Sequence, residues 1–111
     1  MGGRNGDEVR PVVAIQNPLP GARVEGSPGG LTLYVFGSAT DAAGISEVQY
    51  QILHAGTLSP PATANGGSAW IFPLVLQPGD VGEHTIFVRT IDVNGNDSDL
   101  VSRTFTFVAG E

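Results

Sequence analysis

The chain has 111 residues, with 16 glycines, 8 prolines, no cysteine and a formal charge of −6. Its five basic residues are all arginines and are scattered (Arg4, Arg10, Arg23, Arg89, Arg103), so it lacks the basic face that phosphate binding requires, and nucleic acid is excluded as a partner. Thiol chemistry and disulfide support are excluded as well, and no apolar run approaches the roughly 20 residues that span a bilayer, which excludes membrane insertion by a helix.

A chain of this length without an internal repeat implies one domain with its own core. Residues 1–10 are polar and glycine-rich, with nothing to bury, and are expected to be a disordered leader; the folded domain is expected over 11–109. The N-terminus has no apolar segment of the kind a secretory signal needs, so export implies that the sequence is a piece of a longer chain.

In chain order, Pro11 introduces a short strand, Val12 to Ile15, with Val13 and Ile15 facing inward. Asn17-Pro18-Leu19-Pro20-Gly21 breaks it, and pairing resumes around Val24 before the Gly26–Gly30 turn. Proline at this density suits a sheet edge, where a missing N–H costs nothing. Leu31 to Ala39 alternates, with Leu33, Val35, Gly37 and Ala39 on one face and Tyr34 and Phe36 on the other. A turn at Asp41–Gly44 leads to a strand from Ile45 to His54, with Val48, Tyr50 and Ile52 inward. Ala55 to Gly67 reads as loop. Ser68 to Leu76 places Trp70, Phe72, Leu74 and Leu76 in phase, and Pro73 on the opposite face again suggests an edge. After the Gln77–Asp80 turn comes the longest alternation, His84 to Ile91, closed by Asn94-Gly95. Phe87 and Ile91 fall on its outward side. A last strand, about Leu100 to Val108, carries Phe105 and Phe107 in phase. No window has helical periodicity. About seven short strands with turns between them predict an all-β, antiparallel Greek-key sandwich, with Trp70 buried among Val35, Tyr50, Phe72 and Val88.

These residues resemble a known family. Pro11-x-Val13-x-Ile15-x-x-Pro18-x-x-Gly21 and Val35-x-Gly37-x-Ala39-x-Asp41-x-x-Gly44-Ile45 are similar to the first half of bacterial immunoglobulin-like domains. Trp70-x-Phe72-x-Leu74-x-Leu76, Gly82-x-His84-x-Ile86-x-Val88 and Asp92-x-x-Gly95-Asn96 are similar to the second half, in the same order. Thr90 departs from the pattern, standing where a small apolar residue is usual. The resemblance implies an immunoglobulin-like module of surface adhesins or secreted enzymes, extracellular or at the cell surface, acting as spacer or binding unit without activity of its own. Leu76-x-Pro78 followed by His84 also resembles the tyrosine corner of fibronectin type III domains. His84 would then be buried and bonded to backbone within Leu76–Asp80.

Three groups of residues are candidates for function. His54 and His84 lie on different strands without a nucleophile beside them and without a Gly-x-Ser-x-Gly elbow, so neither is read as catalytic; His54 is expected to be partly exposed. Asp41, Asp92, Asn94, Asn96 and Asp97 supply hard oxygens that the topology gathers at one pole, the donor type that Ca²⁺ takes. Asp99 belongs to the same acidic turn, and Asp7 and Glu8, just before the first strand, would complete such a site at a junction between domains. The run from Asp92 departs from an EF-hand loop, because Arg103 stands at the twelfth position and a strand follows. The competing reading is that these side chains bond backbone N–H groups in their own turns, with no cofactor at all. Tyr34, Phe36, Ile71 and Val75 form a candidate interface on outward faces, toward a neighbouring domain of a parent chain, a second copy, or a protein or glycan ligand. Two functions are therefore expected to compete: a non-catalytic spacer or adhesion module of a surface or secreted protein, and a carbohydrate- or protein-binding accessory domain of a secreted hydrolase.

Overall fold

Alternating side chains become strands wherever one face finds a partner to bury against, and here two sheets supply partners to each other. The computed structural model describes residues 10–27 and 29–108. The strands are β1 (Val12–Asn17), β2 (Ala22–Glu25), β3 (Leu31–Thr40), β4 (Ile45–His54), β5 (Thr57–Leu58), β6 (Ala62–Thr63), β7 (Ala69–Leu76), β8 (Gly82–Asp92) and β9 (Val101–Val108), with one 3₁₀ turn at Pro78–Asp80. Three of them form one sheet in the order β1-β3-β7. The other sheet runs β2-β9-β8-β4-β5, with β6 also on β4. The result is the expected all-β sandwich. Of the leader expected over residues 1–10, residues 1–9 lie outside the described residues, and with them Asp7 and Glu8, as do Pro28 and Ala109.

The core is the shared inward side. Val13, Ile15, Val35, Ala39, Trp70, Phe72 and Leu76 from the smaller sheet meet Val48, Ile86, Val88, Phe105 and Phe107 from the larger one. Tyr50 reaches across from β4 to stack on Phe72 at 3.5 Å between ring centroids. Trp70 is fully buried, and its indole N–H donates to the Ser38 carbonyl at 3.1 Å. That indole fits because residue 37 is glycine: a Cβ there would strike the carbonyl oxygen of Ala14 and come within 2.5 Å of Trp70 Cζ2.

Edges are where the prolines are. The break at Pro18–Gly21 lets the chain leave the smaller sheet after β1 and join the larger one as β2, so both halves become edge strands. β2 pairs with β9 in parallel, the one departure from an antiparallel scheme. Arg103, on the inward-pointing register of β9, closes this crossing by donating to the Pro18 carbonyl at 2.6 Å. Pro73 lies on β7, at the other edge of the smaller sheet. Ile71 turns both its N–H and its carbonyl outward to Asn65, so the nitrogen of Pro73, two residues on, faces the same open edge and no ladder bond is lost.

The 55–67 segment is not the plain loop expected from its sequence. It runs along the free edge of β4, where Ser59 N donates to Ile52 O and Ala64 N to Val48 O. It then crosses to β7 through the paired Asn65–Ile71 bonds and so clasps the two sheets on one side. Ala64 is buried in the core as a consequence.

Candidate functional site

The polar candidates divide between the two ends of the sandwich. At one end the Asp41–Gly44 turn and the 92–99 segment do converge beside the incoming chain, with Val93 N donating to Gly44 O at 3.1 Å. Asp92 is 2% exposed and spends both carboxylate oxygens locally. Oδ1 accepts from the backbone N–H of Asn94 and of Asn96, each at 2.8 Å, and Oδ2 from the Asn96 side-chain amide at 3.0 Å. Burial by itself would raise the Asp92 pKa, but the amides of Asn96, Asn94 and Gly95 together outweigh it and hold the carboxyl below its ordinary range. Asp41 Oδ2 accepts from Ala43 N at 2.9 Å, while its Oδ1 is buried with no hydrogen-bond partner among the described residues.

The remaining acids at this end meet arginines. Arg10 binds Asp99 at 2.8 Å and also donates to the Asp97 carbonyl at 2.9 Å; Arg89 lies 3.4 Å from Asp97 Oδ2 and shares Gln49 Oε1 through two of its nitrogens. Arg10, assigned to the leader from its composition, is thus joined to the folded unit. Asp41, Asp92 and Asp97 share a pole but not a cage: among the described residues no three His, Cys, Asp or Glu side chains group closely enough to hold a metal ion. Asx turns and ion pairs account for Asp92, Asp97, Asp99 and one oxygen of Asp41.

Thr90 and Ser98 explain the departure noted in β8. Thr90 is fully buried, and its hydroxyl donates to the Glu47 carbonyl at 2.9 Å while Ser98 Oγ accepts from Thr90 N. A hydroxyl is used there to tie the 92–99 segment and β4 to β8.

At the other end, register makes His54 and His84 direct cross-strand partners. Their rings stack at 3.8 Å between centroids and 1° between planes, and His84 also lies on Phe105 at 5.2 Å. His84 is 3% exposed, as expected of a buried histidine. Its backbone bond, however, is to the carbonyl of Gly82 at 3.1 Å and not within Leu76–Asp80. The Gln77 carbonyl in that turn already accepts from Asp80 N, and Asp80 Oδ2 in return accepts from Gln77 N. His54 is half-buried, with Nδ1 at 2.9 Å from the Glu83 carbonyl. Burial lowers the His84 pKa; the Gly82 carbonyl opposes this, nearby His54 adds to the lowering, and Asp80 opposes it. Recognising the stacked pair requires the β4–β8 register, which the alternation within either strand alone does not give.

The four outward apolar residues are brought to one face. Phe36 pairs directly with Ile71, Tyr34 with Pro73 and Thr32 with Val75 across β3 and β7. Tyr34 is 56% exposed, Phe36 and Ile71 40% each, and Val75 60%.

Comparison with known proteins places this geometry. The profile of a family described as Bacterial Ig domain matches residues 11–88. No curated protein matches the chain by sequence. Among solved structures, the fibronectin(III)-like modules of Clostridium thermocellum CbhA share 16% identity, covering 86% of this chain and 94% of that one, with a TM-score of 0.60. An endo-beta-1,4-mannanase from Thermotoga petrophila shares 14% over 94% of this chain, with a TM-score of 0.66. The SrpA adhesin of Streptococcus sanguinis shares 16% over 91%, with a TM-score of 0.58. This chain spans 21% of the mannanase chain and 56% of the adhesin chain.

Proposed function

The chain belongs to the bacterial Ig domain family, and from that premise we propose that it is a non-catalytic spacer or adhesion module within a longer bacterial surface or secreted protein. The observation that carries this reading is where the chain enters and leaves. Arg10 is held at the pole of Asp97 and Asp99. β9 starts beside that pole and runs away from it, so that Val108 ends next to Gly26, where its carbonyl accepts from Gly26 N. Eight residues of strand separate the two ends by about 26 Å. A domain entered at one pole and left at the other extends a string of domains by its own length.

The side-chain chemistry agrees. The buried polar groups Asp92, Thr90, Ser98 and His84 each bond backbone, which suits holding turns rather than attacking a substrate. Antibodies raised against the folded domain test the proposal on the producing cell. Detection on intact cells or in the medium, on a chain longer than 111 residues, is the expected result. A free chain of this length confined to the cytosol would overturn it.

A further inference from the structure

None of the outward positions of β1, β3 and β7 carries a charge, and the rings of Tyr34 and Phe36 stand on the middle strand of that face. Val12 on one flank and Ile71 and Val75 on the other add exposed apolar surface. These apolar side chains leave about 500 Å² open, and with the small and polar residues between them the face comes to about 900 Å². A standard protein interface takes about 800 Å² from each partner, so this sheet suffices as one whole side of an interface. The neutral surface does not stop at β7. Residues 55–67 carry no charge either, and Asn65 joins them to Ile71 at that edge through paired backbone bonds. Leu58 is the one large apolar side chain of that segment, so it borders the face rather than rivalling it as a place of contact.

Two observations choose among protein partners. The first is where the chain continues. Arg10 is held at one pole and Val108 ends at the other, so domains joined in sequence attach at the poles and leave the side of the sandwich free. The second is charge. In a symmetric contact between identical chains each patch meets its own copy, and here each chain has a formal charge of −6. Acids brought to such a contact face acids, and like charges placed together cost binding. A partner of different sequence is under no such restriction, and gains by pairing its own basic groups with the acids. A face kept free of charge on an acidic chain is therefore the face that two copies can share.

We propose that the outer face of the smaller sheet is a self-association surface, on which two copies meet through Tyr34, Phe36, Ile71 and Val75 as a reversible two-fold dimer. Sheets packed face to face lie about 10 Å apart, so the dimer is a stack of four sheets with the two smaller ones inside. Such a contact joins modules side by side, whereas the poles join them end to end. It goes beyond the spacer reading and does not rest on it, because a spacer and an accessory domain would present the same face.

Sedimentation equilibrium of the purified chain over a concentration series tests this. Monomer at high dilution and dimer on concentration is the expected result. Phe36→Glu and Ile71→Glu should each weaken the association at least tenfold, and the milder Phe36→Thr should act in the same direction. Glu47→Gln on the opposite sheet should leave it unchanged, and melting curves report that each variant is folded. Salt tests the argument from charge. Screening the repulsion between two acidic chains should strengthen a neutral contact as ionic strength rises, where a charge-paired contact would weaken. A monomer at every concentration would overturn the proposal and leave the face to a glycan or to a protein of different sequence. A dimer indifferent to the substitutions at Phe36 and Ile71, or one that salt dissociates, would overturn it as well.

Discussion

The two sheets are alike inside and unlike outside. Inward, both present large apolar residues at alternate positions, and Trp70 and Phe72 of the smaller sheet meet Phe105 and Phe107 of the larger one. Outward, the larger sheet mixes signs and polarity: Arg23 and Glu25 on β2, Glu83 and Arg89 on β8, Glu47 on β4. The smaller sheet shows none, and instead exposes Tyr34, Phe36, Ile71 and Val75. Charge on an outer face keeps a sheet soluble and single. Stability is thus placed between the sheets, and the uncharged outer face of the smaller one is where contact with another molecule is expected.

The largest effect should come from breaking the inner half of that contrast. Trp70→Ala removes the indole that fills the space above Gly37, and is expected to cost about 3–5 kcal/mol. Against a typical total of about 5–15 kcal/mol, and with no disulfide to compensate, the domain becomes marginal in a urea melt. A loss under about 1 kcal/mol would mean that the inward assignment of β7 is wrong.

Next come the two buried polar groups at opposite ends of β8, both in the larger sheet. Asp92→Ala leaves the amides of Asn94 and Asn96 without their acceptor and should lower the melting temperature at neutral pH. Because the folded pKa of Asp92 lies below its ordinary 3.8, its contribution is complete above that value and is lost as the pH falls through the lowered one. The gap between wild type and variant should therefore close in acid. A gap that stays constant with pH would show that the carboxylate is not what holds the turn.

His84 behaves as a base kept neutral by burial. Its folded pKa lies below 6.5, so the unfolded chain binds the extra proton first, and stability falls as the pH drops from 7 through 6.5 to the lowered value. The stacked His54 ring, 3.8 Å away, adds to the lowering of the His84 pKa. His84→Phe should flatten the denaturation midpoint across that window, and the effect should be smaller than that of Trp70→Ala. An unchanged pH slope would place the responsible group elsewhere.

How much of this was legible in the sequence depended on whether side chains or backbone made the contact. Trp70, Val35 and Phe105 declared their faces by alternation, and Pro18, Pro20 and Pro73 declared edges by lacking a donor. β5 and β6 did not show, because two-residue strands have no period, and they exist through backbone bonds such as Ala64 N to Val48 O. The parallel pairing of β2 with β9 also rests on backbone register. Asp92 showed its residue type but not its use. An oxygen-rich turn reads alike whether its carboxylate faces an ion or its own amides, and only the three bonds from Asn94 and Asn96 distinguish them. Arg10 looked like leader, since nothing local reveals a partner 87 residues away.

No shift is expected from calcium. With Asp92 satisfied by its turn and Asp97 and Asp99 by arginines, millimolar calcium and a chelator should give the same melting midpoint. A calcium-dependent rise, which selective binding to the folded state would produce, would show that the pole rearranges to make a site.

Among the substitutions, the smallest effect on stability, and the most direct test of the division between inside and outside, is that of the double substitution Tyr34→Thr with Phe36→Thr. Threonine keeps the strand preference of both positions while removing the rings. If the outer face of the smaller sheet is free for contact, denaturant melts of the double variant should stay within about 1 kcal/mol of wild type, the scale of lost cross-strand pairs such as Phe36 with Ile71. A loss approaching that of Trp70→Ala would contradict the account, because the two rings would then be part of what holds the domain together.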